Sequence, residues 1–315
     1  MLDFLRQVVD ANFKSYGFPL SEEKCVIPED DTTLFVCSGM QRLKSRFAAK
    51  DGGTDGSWQS CIRTNDFELV GDGAHLTYFV MLGNFSFGGP PYEHSVRMWH
   101  TILVELGLAS QCLIHVHPSQ TKHMELWESL SYPVKPDDEC VWSDGEIGGY
   151  CCEVYHHERE IGNLVNTLGH STDVGFGLER LMQAIEGTKN IDDTSLFDSS
   201  LTPVVRDHSR AIRSMRENGI VPGNKGREYV CRKMLRRILR QSCLGLGFDD
   251  WVMAERQMLE QRLTQARRAW RKNKDKQTAW WWDTFGILPE EMYIVRGEIE
   301  TRWKANPNGR KINLP

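Results

Sequence analysis

The sequence predicts an α+β fold, an antiparallel sheet flanked by helices and followed by a helical domain. Three observations lead there. Apolar, β-compatible segments crowd the first 180 or so residues, and long basic helices fill the remainder. Two of the apolar segments each carry an arginine next to glycine-rich text: CIRTNDFELVGDGAHLTYFVMLGNFSFG at 61–88 and HSTDVGFGLERL at 170–181. Charge also divides the chain. Between Arg206 and Lys276, 19 Lys and Arg stand against 8 Asp and Glu, while the rest of the chain carries 19 against 35. That asymmetry predicts two parts, 1–190 and 191–315, the second facing an anion.

The elements follow in order. Residues 3–16 form a helix with Phe4, Val8, Val9 and Phe13 at helical spacing and a stop near Gly17. An acidic turn after Cys25 leads to a strand around Leu34–Cys37. Residues 59–88 read as strand, loop, strand, with Leu76–Phe87 deep in the fold. A helix at 94–108 precedes a strand at 111–117 and a short helix at 121–130. WSDGEIGGY (142–150) is a loop, 151–156 and 160–168 are strands, and Val174–Glu186 is a strand running into a helix. Pro203, Pro222 and Gly223 separate helices at 204–217, 227–242 and 251–272.

Composition narrows the class. The chain has 315 residues, ordinary hydrophobic content and ten tryptophans to fill a core. It has no apolar run long enough to span a bilayer, so no membrane partner is expected. MLDFLRQVVDANF lacks the basic start and cleavage site of a signal peptide. Nine cysteines without CxxC spacing read as free thiols of a reducing compartment, and a cytoplasmic location is expected.

The chemistry sits in the two arginine segments. Gly175 and Gly177 let backbone approach a ligand closely, and Arg180 ends the run with a planar fork suited to phosphate. Arg63 opens the other segment, ahead of His75 and Phe79. Two such segments suit the two ends of a triphosphate. On the helix at 227–242, Arg232, Arg236 and Arg240 recur at i, i+4 with Lys233 and Arg237 beside them, opposite an apolar face. This stripe reads equally well as a surface for an acceptor or phosphate backbone and as a solvated face neutralised by the acidic first domain. Trp280, Trp281 and Trp282 read as core filling in preference to a stacking platform. His115 and His117 share a strand face but lack a third ligand.

Arg63 with His75-x-x-x-Phe79, and Gly175-x-Gly177-x-x-Arg180, resemble motifs 2 and 3 of the class II aminoacyl-tRNA synthetases. MLGNFSFG (81–88), CVIPEDDTTLFVCSGMQRLK (25–44) and DVGFGLER (173–180) resemble the catalytic domain of the alanyl-tRNA synthetase family. GREYVCRKMLRRILR (226–240) and WDTFGILPEE (282–291) resemble its helical tRNA-recognition region. The resemblance implies a class II synthetase-type sheet and ATP-dependent activation of alanine or another small amino acid as an aminoacyl-adenylate, with Mg²⁺. It places Arg63 on the ATP α-phosphate, Phe79 on adenine, His75 beside the phosphates and Arg180 on the γ-phosphate. Glu160 would hold Mg²⁺, Asp173 the substrate ammonium and Asn163 its carboxylate, while Val165 and Gly175 wall the side-chain pocket. The chemistry needs positioning and cationic clamps, and no protein nucleophile.

Departures from the family shape the expectation about the acceptor. The loop after Arg63 is short and lacks the family's Gly-Gly-Lys-His stretch. The family's aromatic lid finds no counterpart in GEIGGYCCEVY (145–155), and the tryptophan of its Ile-Trp-Asn is Gly162, so a reshaped amino-acid pocket is expected. Gly226 replaces a common asparagine, and the resemblance ends within the helical region, without an editing domain. The favoured expectation is therefore transfer to a small-molecule acceptor, nucleoside-like and independent of tRNA. The alternatives are a minimal tRNA-charging enzyme and an inactive tRNA-binding or regulatory paralogue.

Overall fold

The computed structural model describes residues 1–30, 32–240 and 246–297, the side chain of Glu290 excepted. The chain forms two compact units, Met1–Ser200 and the part from Leu201 onward. The last stretch of the expected second domain, 298–315, lies outside the described residues.

Among the described residues the first unit carries nine strands: β1 (Ser21–Glu23), β2 (Thr54–Ile62), β3 (Tyr78–Ser86), β4 (Cys112–Val116), β5 (Val134–Pro136), β6 (Val141–Ser143), β7 (Gly148–His156), β8 (Arg159–Thr167) and β9 (Ser171–Gly177). They join in the order β1-β2-β3-β9-β8-β7-β4-β5, with β6 paired to β7. The sheet is antiparallel through its centre and parallel at both ends, where β1 meets β2 and β4 meets β5. The β4–β5 pair is parallel because a helix, Thr121–Ser129, carries the chain back between them.

One face of this sheet is the core. Helix α1 (Leu2–Ser15) buries Leu5, Val8, Val9 and Phe13, one stripe at helical spacing. Tyr92–Glu105 buries Val96, Trp99, Ile102 and Leu103. These meet alternate residues of the strands, Leu82, Cys152, Val154, Leu164, Val174 and Phe176. The Trp99 and Phe176 rings stack at 3.7 Å. Period-two alternation then sends Phe79, Met81, Asn163, Asp173 and Gly175 to the other face.

Two sequence expectations fail locally. Leu34–Cys37 forms no strand. It makes isolated backbone bonds, Val36 N–H to Val26 O and Ile62 N–H to Val36 O, while the Gln41 and Thr33 side chains bond into the segment. The expected 142–150 loop holds the β6–β7 hairpin. There Asp144 Oδ1 accepts from the Glu146 and Ile147 amides and closes a turn at Gly145.

The second unit is helical: Pro203–Glu217, Gly226–Arg240, Asp249–Trp270, Thr278–Phe285 and Met292–Arg296. Trp281 is fully buried among Leu259, Leu263 and Ile294, and Trp280 packs beside it, so this tryptophan run fills a core.

Candidate functional site

A cleft open to solvent lies on the free face of the sheet. Arg63 and Arg180 both line it. Arg63 directly follows β2, and Arg180 lies in the first turn of the helix Leu178–Glu186 that continues from β9. β3 runs between those two strands.

Neighbours hold each arginine. Arg63 Nε donates to Cys37 O at 3.1 Å, and its guanidinium lies over the Phe79 ring at 4.8 Å from the centroid. Arg180 Nη1 donates to Glu160 O at 2.9 Å and to Glu160 Oε2 at 3.1 Å. His75 lines the cleft and donates from Nδ1 to Asp72 Oδ2 at 2.6 Å. Asp72 in turn accepts from the Ala74 and His75 amides, so the loop presents the imidazole in one orientation.

Glu160 reaches the cleft through a β-bulge. Val154 pairs with Gly162 but Tyr155 pairs with Glu160, leaving Ile161 as the extra residue. Without that shift, alternation from Asn163 would send Glu160 to the opposite face. Asn163 and Gly175 also line the cleft and face each other in register. A Cβ at Gly175 would meet Met81 Sδ at 2.9 Å, so a larger residue there would push the Met81 side chain aside.

Asp173 and Val165 are neighbours in register and lie beside the cleft, outside its lining. Asp173 shares the face of Gly175, two residues along β9. Burial, with the Asp144 carboxylate nearby, pushes its carboxyl up to about 7. No described residue forms an ion pair with it. A desolvated carboxylate without a cation is the arrangement a ligand ammonium would complete. Val165 is buried and packs with Cys140 and Cys151.

Three features escaped the sequence reading. Arg159 lies close enough to Arg180 and Asp72 to feel both; burial and then Arg180 lower its pKa. Its only sequence signal was a charged edge, HERE. Trp142 packs against the cluster of Val165, Cys140 and Cys151. Gly162 lines the cleft through its backbone. A Cβ there would strike the Phe176 ring at 2.3 Å, on the core face of the sheet.

The basic stripe is corrected by the structure. Arg232 and Arg236 are buried. Arg232 Nε meets Glu255 Oε2 at 3.1 Å, and Arg236 meets Glu255 Oε1 at 2.7 Å and Glu291 Oε2 at 2.9 Å. Arg240 reaches Glu291 Oε1 at 3.6 Å. Their partners belong to the helical unit itself, not to the acidic first unit. Lys233 and Arg237 are half-buried.

Comparison with known proteins agrees with this architecture. Residues 10–146 and 156–291 match the family described as tRNA synthetases class II (A). An alanine–tRNA ligase of Endomicrobium trichonymphae is 32% identical over 293 residues, covering 73% of this chain and 33% of that protein. One from Desulfitobacterium hafniense is 31% identical, covering 75% and 34%. The chain thus spans about a third of the length of these curated relatives. An aspartyl tRNA synthetase from Entamoeba histolytica overlaps with a TM-score of 0.43 at 12% identity, over 62% of this chain and 57% of that one, too loosely to carry an argument. No helix among the described residues is long and apolar enough to cross a membrane. With the family match covering most of the chain and two arginines converging on one cleft, the chain belongs to the tRNA synthetases class II (A).

Proposed function

We propose that this chain activates a small amino acid, alanine first, with ATP and passes the aminoacyl group to tRNA. The observation that carries the activation step is the shared cleft of Arg63 and Arg180. Arg63 and Phe79 would take the α-phosphate and adenine, and His75 the neighbouring phosphate oxygens. Arg180 would release Glu160 and take the γ-phosphate. The Asp173 carboxylate would receive the ammonium, and Asn163 would orient the substrate carboxylate towards phosphorus. The walls, Val165 and Gly175, leave room for a short side chain. The carboxylate then attacks the α-phosphorus in line and pyrophosphate leaves. Guanidiniums fixed beforehand stabilise the charge that develops, without reorganisation.

The cleft also fits Mg²⁺ in its acidic component. Glu160 lines the cleft beside Arg180 and is the residue that would hold the ion. Bound there, Mg²⁺ would offset charge on the phosphates.

The names of the relatives favour tRNA as acceptor over the small molecule expected from the shortened loop. One observation keeps the small-molecule acceptor as a second reading: Arg232 and Arg236, the centre of the expected basic stripe, are turned inward onto glutamates. Amino-acid-dependent pyrophosphate exchange tests the activation step. Exchange with alanine, lost in Arg63→Ala, is the expected result, and no exchange with any amino acid refutes it. Labelled alanine incubated with total tRNA then separates the acceptors. RNase-sensitive label supports tRNA, and label that survives RNase supports the small molecule.

A further inference from the structure

We propose that Cys140, Cys151 and Glu153 form a zinc site beside the cleft, packed against Val165. Their ligand atoms, two thiol sulfurs and a carboxylate oxygen, lie within 4.8 Å of one another. Both thiols are buried and neither is in a disulfide. The geometry is fixed by backbone. The Cys151 amide donates to Cys140 O at 3.0 Å, locking the segment before β6 to β7. Cys151 and Glu153 are two residues apart on one strand, so their side chains leave from the same face. The Tyr155 hydroxyl donates to Glu153 Oε2 at 3.0 Å, holding the carboxylate from outside the cluster.

The donor set selects the ion. Two thiolates with one carboxylate are too soft for Mg²⁺ or Ca²⁺ and suit Zn²⁺. Tetrahedral zinc with sulfur at about 2.3 Å and oxygen at about 2.0–2.2 Å needs ligand atoms somewhat under 4 Å apart, a small contraction from the present spacing. Binding would displace both thiol protons. Three protein ligands leave one tetrahedral position for water or a ligand donor. Glu153 pairs in register with Asn163, which lines the cleft, so the ion would sit next to the substrate site. Val165 and Trp142 pack on the cysteine pair, so zinc would also stiffen that cluster beside the cleft.

The proposal is independent of which amino acid or acceptor is used, and its test reads metal, not turnover. The full chain, produced with added zinc and passed over chelating resin, is expected to retain one zinc per chain. Cobalt substituted for it should show the near-ultraviolet thiolate-to-cobalt band, a measurement needing no variant. Cys140→Ser and Cys151→Ser should each lower retained zinc at least tenfold. Cys25→Ser, which removes an exposed thiol elsewhere, should leave it unchanged. Glu153→Gln keeps both sulfurs and should weaken retention about tenfold while preserving the cobalt band. Wild-type protein holding under a tenth of an equivalent of zinc overturns the site. So does zinc content unaffected by both serine variants, or a mass 2 Da low from a Cys140–Cys151 disulfide in its place.

Discussion

Replacing Asp173 by asparagine should stabilise the protein above pH 7 and weaken the amino-acid binding proposed for it. The carboxyl is desolvated on β9, lies near Asp144 and has no cation partner, which raises it from 3.8 to about 7. A raised folded-state value means that the native chain binds this proton more tightly than the unfolded chain. Native stability from this group therefore falls as pH rises from about 4 to about 7, and the loss is complete above 7. Three units at about 1.4 kcal/mol each set an upper figure of about 4 kcal/mol, and partial exposure of the side chain reduces it to about 2–3 kcal/mol. Asparagine has the same shape and no charge, so Asp173→Asn recovers that energy at pH 8 and little of it near pH 4.5. For a unit of this size the gain corresponds to roughly 5–10 °C in melting temperature. The assay is thermal unfolding of both proteins at pH 4.5, 6 and 8. Pyrophosphate exchange in parallel should show the KM for the amino acid rising about 100-fold as the charged contact is lost. A variant less stable at pH 8, or a stability difference that does not change with pH, refutes the reasoning about burial. Exchange at wild-type KM refutes the ammonium contact.

The other perturbations divide site from scaffold. Below about pH 7 the free enzyme holds Asp173 protonated, so KM for the amino acid in wild-type exchange should rise up to tenfold per pH unit on acidification; a flat profile contradicts this. Arg63→Ala and Arg180→Ala should each cut exchange at least 100-fold with unfolding midpoints within about 1 kcal/mol of wild type, read by denaturant titration. Gly162→Ala should destabilise by about 1–3 kcal/mol, because its Cβ would overlap the Phe176 ring, and should leave KM for the amino acid unchanged. Arg236→Met should cost about 3–5 kcal/mol of stability by stranding Glu255 and Glu291; a variant of normal stability that merely loses nucleic-acid affinity would restore the basic stripe.

How much of this was legible depended on whether the signal was local. Arg63, Phe79, Gly175 and Arg180 stand in compact stretches whose residue types announce phosphate chemistry, and these the structure gathers at one cleft. Asn163, Glu160 and His75 were named from resemblance and also line it. The inward turn of Arg232 and Arg236 was hidden, because their glutamates come from 19 to 55 residues further along the chain. Helical spacing showed a stripe of charge but not what would cover it.

The sequence by itself determined an α+β unit followed by helices and the two arginines, since each rests on residue type and short-range periodicity, while Asp173 and the small residues near it were named from resemblance. Tertiary structure decided which way those side chains face. In a sheet, direction flips with every residue, and a single bulge at Ile161 carries Glu160 to the cleft while register sends Gly162 to the core. Pairing between distant strands sets that parity, and no pattern within one strand encodes it.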